Sequence, residues 1–225
     1  MRFTCPARRA SLRALLVVLA LALCCPLPAR AGALERTQAL HPDMPSYLFS
    51  LAYRYEGDLY YTSAITVAQA DTRQLVQQIT LSPEAQSWDD ETLSFTLEDM
   101  NFDGYLDMRI MAFLSASSSD IPYLVWLWNP AAHQFEHSAA LSAIPSPEAN
   151  AAEQVIRGYA REDVTTSVQT THAWVEGDLV LIGRTTISYD MSNNVVHTAV
   201  EELREGSMTL ISRYDEPLVV PEADE

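Results

Sequence analysis

A two-residue period runs through most of this 225-residue chain, and it restricts the fold more than any other feature. Phe49, Leu51, Tyr53 and Tyr55 share one face, Glu56-Gly57-Asp58 makes a turn, and Leu59, Tyr61, Ser63, Ile65 and Val67 share the next face. That is the pattern of a β-hairpin. The stretch "AWVEGDLVLIGRTTIS" at 173 to 188 repeats the form with the same EGDL turn, and "REGSMTLISR" at 204 to 213 offers a third. Further strands are predicted over Leu75 to Leu81, Thr92 to Leu97, Met108 to Leu114, Tyr123 to Trp128, Gln154 to Ala160 and Val195 to Leu203. Roughly ten short strands with close turns predict an all-β fold of antiparallel strands, propeller-like or sandwich-like.

The first 31 residues read as a secretory signal. Arg2, Arg8, Arg9 and Arg13 precede an apolar run from Leu15 to Leu23 that is too short to span a bilayer, and Ala29-Arg30-Ala31 is an A-x-A cleavage site. A lipid-anchored alternative, through Cys24 or Cys25, is the weaker reading because Leu23 and Cys24 stand where a small residue is wanted. The predicted organisation is a signal over 1–31, one all-β domain over 32–214 and an acidic mobile tail over 215–225. No second apolar run approaches membrane-spanning length.

All three cysteines (Cys5, Cys24 and Cys25) fall in the signal, so the core must do the work that disulfides do in many exported domains, with a metal as a candidate second source of stability. The signal also masks the true charge. It removes five of 14 basic residues and none of the 30 acidic ones, leaving nine against 30, or −21. Such a field repels nucleic acid and anionic membrane and favours cations and basic proteins.

The negative charge is densest in "DMNFDGYLDM", residues 99 to 108. Asp99, Asn101, Asp103, the Tyr105 carbonyl and Asp107 occupy positions 1, 3, 5, 7 and 9 of a calcium loop, with Gly104 at the sharp turn. Position 12 is Ile110 rather than a bidentate glutamate, and the flanks alternate like strands, so the prediction is a strand-loop-strand calcium site and not an EF-hand. With its oxygens supplied by the loop, the ion is expected to be structural.

Other chemistries are poorly supported. "HQFEH" at 133 to 137 matches an inverted zinc-peptidase pattern with His133, Glu136 and His137, but that pattern needs a helix. On a strand the two imidazoles stand about 13 Å apart, and the flanking "YLVWLWNP" reads as a strand entering a turn. Asp89, Asp90 and Glu91 are neighbours in an acid-rich chain, and His41, His172 and His197 stand without a nucleophile motif. The expectation is a protein that is not an enzyme.

Taken together, D-x-N-F-D-G-Y-x-D at 99 to 107, the small-residue loop "SASSSD" at 115 to 120, "PYLVWLWNPAAHQF" at 122 to 135 and "HAWVEGDLVLI" resemble a bacterial family of periplasmic, calcium-binding, β-propeller-like proteins. That family includes immunity proteins against peptidoglycan-degrading effectors of bacterium-killing type IV secretion systems. The resemblance covers about residues 90 to 213, and the loop departs from it in carrying serines where glycines are expected. It implies a periplasmic inhibitor that blocks a lysozyme-like peptidoglycan hydrolase, itself basic, with Tyr123 and Asp120 beside the inserting loop as partner-binding residues. The alternative is a non-catalytic, calcium-stabilised envelope adhesion or binding module.

Overall fold

The computed structural model describes residues 30–114 and 120–218. The predicted signal with its three cysteines, the loop tip at 115–119 and the end of the tail at 219–225 lie outside the described residues. Ala31–Glu225 forms one compact unit.

Among the described residues, fourteen strands form three antiparallel meanders. Strands β1 (Arg30–Ala39), β2 (Ser46–Glu56), β3 (Leu59–Gln69) and β4 (Leu75–Ser87) make the first sheet in sequence order. Strands β5 (Phe95–Glu98), β6 (Asp107–Met111), β7 (Tyr123–Asn129) and β8 (Gln134–His137) make the second. After a one-turn helix α1 (Ala139–Ser142), the third sheet runs through β9 (Glu148–Asn150), β10 (Val155–Arg161), β11 (Thr166–Val175), β12 (Asp178–Asp190), β13 (Val195–Arg204) and β14 (Ser207–Pro217). The three sheets are separate, so the barrel of a single closed sheet is not formed. Among the described residues no helix is long and apolar enough to cross a membrane.

Turn chemistry makes the hairpins. Glu176 (φ 51°) with Gly177 (φ 90°), and Glu205 (φ 50°) with Gly206 (φ 82°), each close a two-residue loop with both central residues left-handed. This is the type I′ geometry, whose twist matches that of the strands it joins. Gly57 alone is left-handed (φ 64°) between the paired Glu56 and Leu59, the mirror-turn variant with glycine first.

Alternation sets which faces meet. Phe49 and Leu51 of β2 pair with Val67 and Ile65 of β3, and this face packs on Phe95, Met108, Ile110, Trp126, Trp128 and Phe135 of the second sheet. Gln77 of β4 seals the join, its amide accepting from Phe135 N (2.8 Å) and donating to Phe135 O (2.9 Å). The opposite face of the second sheet carries Val125, which packs with Met100, Leu141, Ile144 and Ile156 from the loop, helix and third sheet. The second sheet is therefore covered on both sides, in a sandwich-like arrangement. This explains why "YLVWLWN" is an unbroken apolar run rather than an alternating one.

Several boundaries differ from the sequence expectation. Strand β5 starts at Phe95 and not Thr92, because Leu93 and Ser94 take φ of 51° and 53°, outside the strand region. Asp215, Glu216 and Pro217 pair with His197, Val196 and Val195, so the residues assigned to the start of the tail belong to β14. Asp89 lies in the connection between β4 and β5 rather than on a strand and accepts from Glu91 N (2.9 Å) and Thr92 N (3.1 Å); its bond from the Thr92 hydroxyl holds its carboxyl below the usual range. "HQFEH" is a turn and strand, with His133 left-handed (φ 53°) and His137 paired to Trp126, so the helix that zinc peptidase geometry needs is not there.

Candidate metal centre

The acidic segment connects β5 to β6, whose ladder begins at the pair Glu98 and Asp107. Asp99 starts the curl by accepting from Asp103 N (3.2 Å) through Oδ1 and from Gly104 N (2.9 Å) through Oδ2. Asn101 Oδ1 accepts from Asp103 N (3.3 Å) and its amide donates to Asp103 Oδ2 (2.9 Å), while Asp103 Oδ1 accepts from Tyr105 N (2.9 Å). These successive Asx turns wind the backbone round its own side-chain oxygens. Gly104 (φ 91°) and Phe102 (φ 61°) supply the left-handed steps that the winding requires.

Asp107 differs from the others. It is 0% exposed, and its carboxylate accepts from Met100 N (2.8 Å) and from Trp128 N on β7 (2.8 Å). Burial pushes its pKa up to about 7, against the pull of those two amides, and the charges of Asp103 and Asp99 push it in the same direction as burial. A carboxylate in this setting is stabilised by any neighbouring positive charge.

The loop also ties the three sheets together. Leu106 N donates to Leu40 O (2.8 Å) just beyond β1, and the His41 ring lies 4.9 Å from the Tyr105 ring. On the other side Trp174 Nε1 of β11 donates to Met100 O (3.0 Å). Displacing this loop would disturb contacts to all three sheets.

The donor set is all oxygen, the kind a hard cation takes. Each carboxylate oxygen that accepts one backbone amide keeps a second lone pair. As the side chains stand, no three His, Cys, Asp or Glu groups among the described residues converge as a chelate. Asp99 and Asp103 face the loop's own amides, and Asp107 faces the core.

The remaining predicted residues are placed as follows. Tyr123, on β7, is half-buried, with the Arg109 guanidinium over its ring at 4.9 Å, and it packs against the second core cluster. Arg109 is itself held by Thr96 (3.2 Å), by Glu98 (3.3 Å) and by the carbonyl of Pro147. Asp120 accepts from the Arg161 backbone amide. Both residues are thus tied into the fold beside the loop. His137 meets Ser142 Oγ (3.2 Å) and the edge of Trp126, and His133 packs near Trp128, so the two imidazoles have separate surroundings. The sequence reading missed Met100, Leu40 and Trp174, which attach the loop to its neighbours through backbone atoms and one indole. Only Trp174 carried a signal, as an aromatic ahead of an EGDL turn.

No family model matches the chain, and no curated protein matches it. Among solved structures, the chain is similar to one described as the structure of a Xanthomonas type IV secretion system related protein, with a TM-score of 0.60 at 14% identity. The match covers 81% of this chain and 99% of that one. At that identity the likeness is one of fold.

Proposed function

We propose that this protein is a periplasmic, calcium-stapled inhibitor that protects a cell by blocking a lysozyme-like peptidoglycan hydrolase of a type IV secretion system. The observation that carries the calcium reading is Asp107, a buried carboxylate at the junction of three sheets, closing an all-oxygen loop. Asp99, Asn101, Asp103, the Tyr105 carbonyl and Asp107 would hold the ion, which supplies the positive charge that Asp107 lacks. The fold-level likeness to a type IV secretion system related protein, and three meanders of the kind a propeller repeats, support the wider reading. The charge of −21 after signal removal suits a basic hydrolase, since opposite charge raises the encounter rate.

Two measurements test this. Calorimetry of the purified, chelator-stripped protein should show calcium binding, and the heat should vanish in Asp103→Ala; no heat in the wild type removes the staple. Clearance of a peptidoglycan suspension by a panel of basic hydrolases should be inhibited by the protein in calcium and restored by chelator. Clearance that proceeds unchanged with every hydrolase would move the assignment to an envelope-binding module.

A further inference from the structure

The third sheet carries a polar concavity of about 520 Å³ that the calcium loop and the inhibitor reading leave unused. Its lining includes Glu148, Arg157, Tyr159, Gln169, Thr171 and Thr185. Strand register explains why these six meet. Arg157 pairs with Glu148 on one side and Thr171 on the other, while Tyr159 pairs with Gln169, which pairs with Thr185. Directly opposed residues of an antiparallel sheet share a face, so two adjacent rows stand side by side on β9 to β12.

Three properties of this surface point to one ligand class. The side chains of Tyr159, Gln169, Thr171 and Thr185 make no hydrogen bond among the described residues, so their donors and acceptors are unspent. The lining holds one charge of each sign, Arg157 and Glu148, with one guanidinium nitrogen of Arg157 already donating to Glu153 (2.8 Å) and its remaining donors open, in a chain whose formal charge is −16. An anion would meet the repulsion of the whole molecule, and a bare cation would find stronger sites in the acidic loop. Tyr159 adds an apolar ring among hydroxyl, amide, guanidinium and carboxylate groups. Planar groups that reach two adjacent hydroxyls, together with a ring that packs on C–H faces, are what a neutral sugar requires. The volume is within the range that holds a small ligand.

We infer that this face of β9 to β12 binds a neutral oligosaccharide. The inference is independent of the hydrolase reading, and either can fail alone. The test is a titration of the ¹⁵N-labelled protein, followed by NMR, with tri-N-acetylchitotriose and separately with maltotriose. Amide shifts should move over Arg157–Tyr159, Gln169–Thr171 and Thr185 for at least one sugar. Tyr159→Ala should weaken that binding by at least about tenfold, as should Gln169→Ala, whose exposed position leaves folding intact. A response to the acetylated sugar alone assigns the face to amino-sugar glycans such as those of the cell wall, and a response to maltotriose assigns it to plain glucans. Absence of shifts on β10 to β12 with both sugars, or Gln169→Ala binding as the wild type does, overturns the inference.

Discussion

Asp107 and Asp163 each accept hydrogen bonds from two backbone amides, yet their carboxyls are shifted in opposite directions. Asp163, in the exposed turn between β10 and β11, takes Thr165 N and Thr166 N, both at 2.7 Å, and its pKa is lowered first by the Thr165 amide and then by the Thr165 hydroxyl (2.9 Å). Asp107 takes Met100 N and Trp128 N at 2.8 Å, and burial outweighs them. Asp163 has the extra hydroxyl bond and Asp107 has two aspartate neighbours, but the largest cause at Asp107 is what surrounds it. Water solvates the rest of the Asp163 carboxylate, whereas Asp107 is enclosed by the meeting of three sheets. The surface Asx turn keeps water on its carboxylate, whereas the buried Asp107 carboxylate has two long-range backbone amides in place of that water.

The largest effect expected from breaking this contrast is that of Asp107→Ala. Two buried amides, of Met100 and Trp128, would lose their acceptor, at a cost of about 2–6 kcal/mol in urea unfolding. A loss below about 1 kcal/mol would show that water replaces the carboxylate and that the junction is not closed.

Next comes the pH dependence of the chelator-treated protein. Asp107 titrates at about 7 in the fold and at the ordinary 3.8 when unfolded, so between those values the folded chain holds a proton the unfolded chain has released. Stability therefore falls as pH rises from about 4 to about 7, by roughly 4 kcal/mol, and does not fall further above that. Burial lowers the pKa of His172, so its share is lost in the other direction, as pH drops through 6.5. Comparison with Asp107→Asn removes the His172 part, since both proteins contain it. Excess calcium should also abolish the fall by favouring the carboxylate. A wild type whose stability follows that of the Asn variant across this range would show that Asp107 does not titrate as its burial implies.

A smaller effect sharpens the picture of the junction. Trp174→Phe keeps the ring and removes the donor to Met100 O, for an expected loss of about 1 kcal/mol, and it should weaken calcium binding measurably if the loop and third sheet are coupled. The smallest effect is expected on β14, where Leu210 is 52% exposed and Tyr214 46%. Leu210→Ser should change stability by less than about 0.5 kcal/mol. A larger cost would mean that this strand is covered in solution.

Most of the strands were legible because their signals are local. Gly57, Gly177 and Gly206 mark loops that need a left-handed residue, and the alternation on either side identifies the paired strands. The limits of this reading appear where local pattern and environment part. Strand β1, "RAGALERTQA", lacks an apolar alternation, and its pairing to β2 comes from the sheet it joins. The β2–β3 and β13–β14 hairpins read alike in sequence, but Phe49, Leu51, Ile65 and Val67 are fully buried while Leu210, Ile211 and Tyr214 are exposed. Alternation says that one face is apolar and is silent on whether a second layer lies over it.

For the acidic loop, residue types and spacing determined an oxygen-rich turn around Gly104, because Asx side chains there bond amides two to five positions away whatever the rest of the chain does. They also determined the export signal as an expectation and the strongly acidic balance as a fact of composition. What only the tertiary structure decided is the unequal fate of three aspartates in one motif: Asp99 and Asp103 hold the loop's own backbone, and Asp107 enters the core to hold a strand 21 residues away. It likewise decided that Tyr159, Gln169 and Thr185, on three different strands, form a single row. Burial and cross-strand register are properties of elements brought together from distant parts of the chain, and nothing within a short window of sequence encodes which partner will arrive.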